Sequence, residues 1–536
     1  MLSGLEPRTR LQLLVLAILL LPIACTGGCD PEPRAGDTAA TANGSSLAPD
    51  RATTESSELG DAGTKPQPPG ALIEAVNATD AGAHVAPWAG PFFTVTSGSV
   101  GLYAKPSADR GLKMGYARSG GRLPVMPDKV SGDGCRSGWY ELVGGGYVCG
   151  AEGTIDPEDP RARLAVQAPD LSATLPYPYG RNAQNGTPLY SSVPSRDQMA
   201  AYEPYLELEE TPKRGPPDAG TLAWWQRKEA QLNEVRLAEL ALESDGVLAR
   251  RLVKGFYIAI DKEFEWSSRT WYKSTKGMVA PKDRFVAVEG SDFRGVDLPE
   301  ADSLPVAWAY GFRQNRPKYQ LAESGTFKPN GSIERLRPIY LTGDPVVSGG
   351  HAYVRSLEGF WVRMDDVRIA RPPPIPIDVR RDERWIYVDL RSQTLVALIG
   401  STPVYATLVS SGRESDDEEQ DHRTPPGQWN IREKHVTTTM DGDGTAAGDL
   451  PYSIEDVPYV MYFEGSYALH AAFWHRNYGV RMSHGCINLA PLDAKYVFFF
   501  TGPSVREGWH GAWSGNGQAG SRVVIDGPER GTRAGR

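Results

Sequence analysis

Near its C-terminus the chain reads RMSHGCINLAP over residues 481–491, which sets Cys486 two residues after His484 and sixteen after His470. Three of the eight histidines, His470, His475 and His484, fall within the seventeen residues that end at Cys486. The thiolate is the attacking form of cysteine, and a free thiol is only about a few per cent ionised near neutral pH. A histidine that takes the thiol proton and later hands it on serves both halves of an acyl transfer. The oxyanion formed on the way needs fixed donors. Gly485 lets the backbone approach closely there, and the consecutive N–H groups of Gly485 and Cys486 are candidates. Two other arrangements compete. A zinc site built from His470, His475, His484 and Cys486 is chemically possible, but the spacings are irregular and no second cysteine pair or acidic ligand lies nearby in sequence. The other is a packed, inert cysteine with incidental histidines. Taken alone, His475 reads as a surface or packing histidine, and His422 and His435 have no local constellation.

The rest of the chain must carry and position this cluster. With 536 residues it is too long for one core, so several domains are expected. Arg8 and Arg10 precede the apolar run LQLLVLAILLLPIAC, shorter than the roughly 20 residues of a membrane-spanning helix. Basic residues, a short apolar core and small residues after it read as a secretion signal over residues 1–29. The ending PIACTGGC resembles a bacterial lipoprotein signal, with Cys25 as the lipidated residue and Cys29 as second choice; a plain cleaved signal is the alternative. Cys135 and Cys149 lie fourteen apart, and an exported chain permits them to pair. Cys486 is then left over, the mark of a candidate reactive thiol. A net charge of −9 argues against a nucleic-acid partner, because phosphate binding needs a basic face.

Residues 30–88, rich in Ala, Gly, Thr, Ser, Pro and Asp, read as a flexible tether. Short alternating runs over 89–155 read as β-structure. One pattern then recurs in GWYELVGGGYVC, TWYKSTKGMVA and YVRSLEGFWVR: an aromatic strand, a tight turn with Gly, and a strand with Val. That is a β-hairpin signature. The first copy resembles bacterial SH3-like domains, and the later ones, in a middle region over 156–375, are divergent versions or generic hairpins. Apolar residues at three- and four-residue spacing predict an amphipathic helix over 221–246. RPPPIPID, residues 371–378, reads as a stiff linker. Beyond it the domain over 376–528 is expected to be mostly β, followed by a tail over 529–536. Three successive strands are expected in RWIYVDLRSQTLVALIGSTPVYATLVSSG, with a turn at Gly400 and Ser401. One strand is expected after the turn in TPPGQWNIREKHVT, and one more in SRVVIDG. ESDDEEQDH reads as a solvated loop.

The segment LHAAFWHRNYGVRMSHGCINLAPLDA resembles the signature of L,D-transpeptidase catalytic domains, in which a histidine precedes a Ser/Thr-His-Gly-Cys core. The resemblance runs over about residues 384–526, includes TPPGQWNI and DVPYVMYF, and departs at Ala471, where many members have glycine. It implies Cys486 as nucleophile and His470 as general base. Ser483, His484, Gly485 and Asn488 would lie at the substrate and oxyanion, with His484 supporting geometry rather than acting as base. Tyr452 corresponds at most to a tyrosine that some members use near the oxyanion. The implied fold is mainly β: a β-sandwich with a capping segment, preceded here by small SH3-like barrels and a linking helix. The implied activity is attack on peptidoglycan stem peptides, with no metal and no cofactor. A thioester forms with release of D-alanine, and an amine of a neighbouring stem then displaces the enzyme. Water or a protein lysine as acceptor, or an inactive wall-binding scaffold, are the alternatives.

Overall fold

A computed structural model describes residues 88–203, 246–299, 303–311, 315–415, 421–442 and 452–528. The expected signal with Cys25 and Cys29, nearly all of the tether, the helix over 221–246 apart from Gly246, and the tail lie outside these residues. Among the described residues no helix is long and apolar enough to cross a membrane.

The described chain is mainly β. All three recurring patterns close as antiparallel hairpins: Trp139–Leu142 with Tyr147–Cys149, Arg269–Ser274 with Val279–Pro281, and His351–Ser356 with Trp361–Arg363. Gly146, Gly277 and Gly359 all have positive φ, which only glycine adopts freely. A disulfide joins Cys135 to Cys149 across the first hairpin.

The C-terminal part supplies two facing sheets. The first holds β1 (Arg384–Asp389), β2 (Thr394–Ile399) and β3 (Thr402–Leu408) in antiparallel order, with Gly400 at φ +56 in the turn. β4 (Gly427–Asn430) joins the same sheet through the last strand. β5 (Glu433–Gly442) then enters the second sheet and pairs with β6 (Tyr452–Glu464). Where one strand was expected after TPPG there are therefore two. The break falls at Ile431 and Arg432, where Ile431 is fully buried in the core and the chain crosses between layers. β7 (Tyr467–Ala471) follows β6, and β8 (Ile487–Leu489) runs parallel to β7. Helix α1 (Pro491–Phe500) comes next, then β9 (Gly511–Trp513) beside β5, and β10 (Arg522–Asp526) parallel to β1.

Alternation decides what each strand buries. Ile386, Val388, Leu395, Ala397 and Tyr405 from the first sheet meet Val436, Met461, Leu469, Ala471, Ile487 and Leu489 from the second, with α1 contributing Ala494, Val497 and Phe498. A buried aliphatic side chain of this kind contributes roughly 1.5–3 kcal/mol. The outer face of the first sheet is covered too: Trp385, Val396, Leu398 and Leu408 pack against Phe293, Val306 and Trp308. Coverage on both faces explains why β2 reads as a continuous apolar run.

The preceding hairpin regions are joined to these sheets by backbone pairing. Lys113–Arg118 pairs with β9, Tyr257 pairs with Ile454 of β6, and Val296–Asp297 extends the first sheet beside β3. At one junction Asp456, fully buried, takes ion pairs from Arg118 at 2.7 Å and Lys276 at 3.2 Å, so both flanking regions are tied to β6.

Candidate active site

The parallel pair β7–β8 sets the site. Leu469 lies opposite Ile487, His470 opposite Asn488, and Ala471 opposite Leu489. Leu469, Ala471, Ile487 and Leu489 point into the sandwich core. The two-residue period of a strand then places His470 and Asn488 on the opposite face, with Cys486, one residue before β8, on that face as well. This outer face is walled by another region of the chain: Cys486 packs with Ala468 and Phe473 in a cluster that includes Tyr179 and Ala259.

The loop carrying Cys486 is pinned to the chain that continues β3. Met482 and Ser483 donate their N–H groups to Ser411 O at 2.9 and 3.1 Å, and Arg413 N–H donates to Ser483 O at 2.9 Å. Ser410 and Asn488 exchange backbone bonds at 2.9 Å in both directions. Inside the loop the Ser483 hydroxyl donates to Cys486 O and accepts from Gly485 N at 3.1 Å. Thr424 Oγ1 donates to Gly485 O at 2.7 Å. Gly485 itself sits at φ +123, and a Cβ there would lie 2.5 Å from Tyr467 Cε1. Glycine is required by both conformation and space.

His470 is buried, and its Nδ1 lies 3.1 Å from Ala471 O. A carbonyl only accepts, so Nδ1 carries the proton and Nε2 keeps the lone pair a general base needs. Burial lowers its pKa to about 4. Burial also pushes the Cys486 thiol up to about 11, although the side chain is partly accessible. At rest both the thiol and the imidazole are thus neutral. Burial raises the Tyr452 hydroxyl as well, with the nearby Cys486 adding to the shift, so it remains a protonated donor beside the thiol.

The other expected residues take distinct places. His484 is exposed, and its Nε2 accepts from Arg413 Nη2 at 2.9 Å. Its ring stacks on Tyr452 with centroids 5.6 Å apart and meets His422 edge-on at 4.9 Å. Tyr452, at the start of β6, therefore lies over one face of the His484 ring and leaves the rest exposed. Ser483 turns its hydroxyl into the loop, which makes it a loop-closing group. Gly485 N–H is committed to that hydroxyl, so of the two consecutive N–H groups only that of Cys486 is open to an oxyanion among the described residues. His470, His475, His484 and Cys486 do not converge as ligands: among the described residues no three His, Cys, Asp or Glu side chains gather as a metal set.

Asn488 shows what residue spacing left out. Its amide lies 3.1 Å from His475 Nε2, while His475 Nδ1 accepts from Asn477 N–H at 3.3 Å. A neutral imidazole that accepts at Nδ1 must donate from Nε2, so the amide presents its oxygen to His475. The other amide position is buried without a partner, which leaves the NH2 as an uncommitted donor on the strand position opposite His470. His475, which taken alone reads from sequence as a surface or packing histidine, orients Asn488. Trp474 was also missed; its ring lies 5.7 Å from that of His470. Both follow directly on the HAAF segment, and proximity in sequence to His470 was the available signal. His435 bonds Tyr116 at 3.1 Å and meets the Tyr462 ring edge-on at 5.8 Å.

Residues 383–525 match the family model of the L,D-transpeptidase catalytic domain, YkuD. The match spans the two facing sheets and the Cys486 loop. Among solved structures, the chain is similar to an L,D-transpeptidase cysteine-to-serine mutant from Enterococcus faecium, with 21% identity over 30% of this chain and 55% of that one, TM-score 0.21. It is similar to an L,D-transpeptidase from Stackebrandtia nassauensis at 23% identity over 29% and 60%, TM-score 0.20. It is similar to one from Mycobacterium smegmatis at 15% identity over 45% and 89%, TM-score 0.22. The chain thus spans less than two thirds of the length of the first two. No curated protein matches the chain.

Proposed function

We propose that this chain is an exported peptidoglycan L,D-transpeptidase that works through a thioester on Cys486. The observation that carries the reading is the shared outer face of β7–β8, where Cys486, His470 and Asn488 lie together within the matched domain and His470 holds its proton on Nδ1. Cys486 Sγ attacks the carbonyl joining the third residue of a tetrapeptide stem to its terminal D-alanine, and His470 Nε2 takes the thiol proton. The Cys486 N–H, with Tyr452 OH beside the thiol, offers donors to the oxyanion. The C–N bond breaks, D-alanine leaves with the proton from His470, and the thioester remains. An amine of a second stem then attacks and gives its proton to His470, the C–S bond breaks to leave a new amide cross-link, and His470 returns the proton to the Cys486 sulfur. Water or a protein lysine as acceptor changes the product but not the acyl-enzyme. The expected signal with Cys25 supports export and a lipid anchor to the membrane, since wall polymer lies outside the cytoplasm. The disulfide between Cys135 and Cys149 fits an oxidising compartment.

The test is intact mass of the reduced protein mixed with a tetrapeptide stem, beside Cys486→Ala. A tripeptidyl adduct on the unaltered chain alone, with D-alanine released, is expected. A folded chain with a free thiol that forms no adduct would turn the reading towards a wall-binding scaffold.

A further inference from the structure

A groove of about 540 Å³ opens beside the site, between the strands Tyr179–Asn182 and Phe285–Val288 and the turn that follows β7. Its volume falls in the usual range for small-ligand sites, about 300–1,000 Å³. Trp474 and His475 form the end nearest the catalytic pair: the Trp474 ring is 5.7 Å from the His470 ring, and His475 is 3.1 Å from the Asn488 amide. Arg181 lines the side contributed by the preceding region, where Tyr257 and Val286 lie opposite it in register. Arg476 and Glu289 complete the charged lining. Both arginines are exposed, and neither has a carboxylate partner among the described residues; the Arg476 guanidinium reaches only Gly290 O, at 3.4 Å.

A groove with two uncommitted guanidinium groups, one carboxylate and an aromatic end is complementary to a peptide that carries both signs of charge. A stem peptide does: it has free carboxylates and the ammonium of its diamino acid. We propose that this groove binds the stem peptide, Arg181 and Arg476 holding its carboxylates and Glu289 its ammonium, so that the region before the matched domain supplies part of the substrate site. The proposal rests on the L,D-transpeptidase reading for the identity of the ligand. Guanidinium groups suit the carboxylates because their planar donors pair with both oxygens. The position of the groove, adjoining Trp474 and His475, delivers the bound chain to the face that holds His470 and Cys486.

The test separates binding from chemistry. Titration of full-length Cys486→Ala protein with tetrapeptide stem, followed by calorimetry, reads the groove without acylation. Arg181→Ala and Arg476→Ala are each expected to weaken binding about tenfold, the scale of one lost charge-assisted contact. Amidating the carboxylates of the stem should weaken binding to the otherwise unaltered protein and change little in the double variant. Glu289→Gln should weaken the native stem but not one whose diamino-acid amine is acetylated. With Cys486 present, the arginine variants should raise KM and keep kcat. No binding to Cys486→Ala protein, arginine variants within twofold of the parent, or an unchanged response to amidation would overturn the groove assignment. A chain that binds through the arginines yet forms no thioester would overturn the transpeptidase reading and leave the groove standing.

Discussion

Gly485→Ala isolates what the Cys486 loop contributes. Holding alanine at a positive φ of +123 costs about 1–3 kcal/mol. The added methyl also meets Tyr467 Cε1 at 2.5 Å, against an ordinary contact of about 3.5–4.0 Å, so loop and ring must part by about 1 Å. Crowding of that kind costs a further 1–3 kcal/mol or about that. Displacement matters more for the reaction, because a reacting group misplaced by about 1 Å loses roughly 100-fold in rate. Acylation by a tetrapeptide stem, followed by intact mass over time, should therefore slow by about two orders of magnitude, and urea unfolding should report the stability loss. In a Tyr467→Ala background the stability penalty of Gly485→Ala should shrink to the backbone part alone. Acylation within threefold of the unaltered chain, or an equal stability penalty in both backgrounds, would refute the argument.

Because burial holds His470 near 4 and the Cys486 thiol near 11, kcat/KM for acylation should rise through an acid limb near pH 4 and stay level to about pH 10, while iodoacetamide alkylation of Cys486 should keep accelerating towards pH 11. An acid limb above about pH 6, where an ordinary imidazole titrates, or a fall in kcat/KM well below about pH 10, would contradict the neutral resting pair. Glu455 on β6 is buried beside Arg250, Lys276 and Asp456, and burial raises its carboxyl to about 7 from 4.5. Between those values the folded chain holds a proton that the unfolded chain has released, so stability falls as pH rises through the window. Glu455→Gln should thus stabilise the protein above pH 7 by an amount on the order of 3 kcal/mol and have little effect near pH 4, as read by denaturant midpoints. Breaking the disulfide by Cys135→Ser with Cys149→Ser should cost about 3 kcal/mol, the chain-entropy scale for a loop of this length, and should leave acylation unchanged in protein that is still folded.

Local signals in this chain are strong where physics is local. Aromatic–turn–valine runs with a glycine in the turn closed as three hairpins, because strand propensity and positive φ need no distant partner. The helix Pro491–Phe500 was not anticipated. It is buried nearly all round, with Ala494, Val497, Phe498 and Phe500 in the core, so it has no polar stripe to reveal a helical period. Pro491 in its first turn was the one legible cue. The two-strand outcome at Ile431 was equally hidden, since crossing from one sheet to the other depends on which partners are waiting.

By itself the sequence determined the candidate groups: residue type and spacing set His470 sixteen residues before Cys486, which closes a Ser-His-Gly-Cys loop where glycine is obligatory. Tertiary structure alone decided the rest. Whether His470 presents a lone pair depends on Ala471 O accepting its other proton, and Asn488 takes its amide orientation from His475. The cluster that Cys486 packs against includes Tyr179 and Ala259, more than two hundred residues earlier in the chain. Burial, which sets the protonation of both thiol and imidazole, is a property of everything that surrounds them, and no short stretch of sequence contains it.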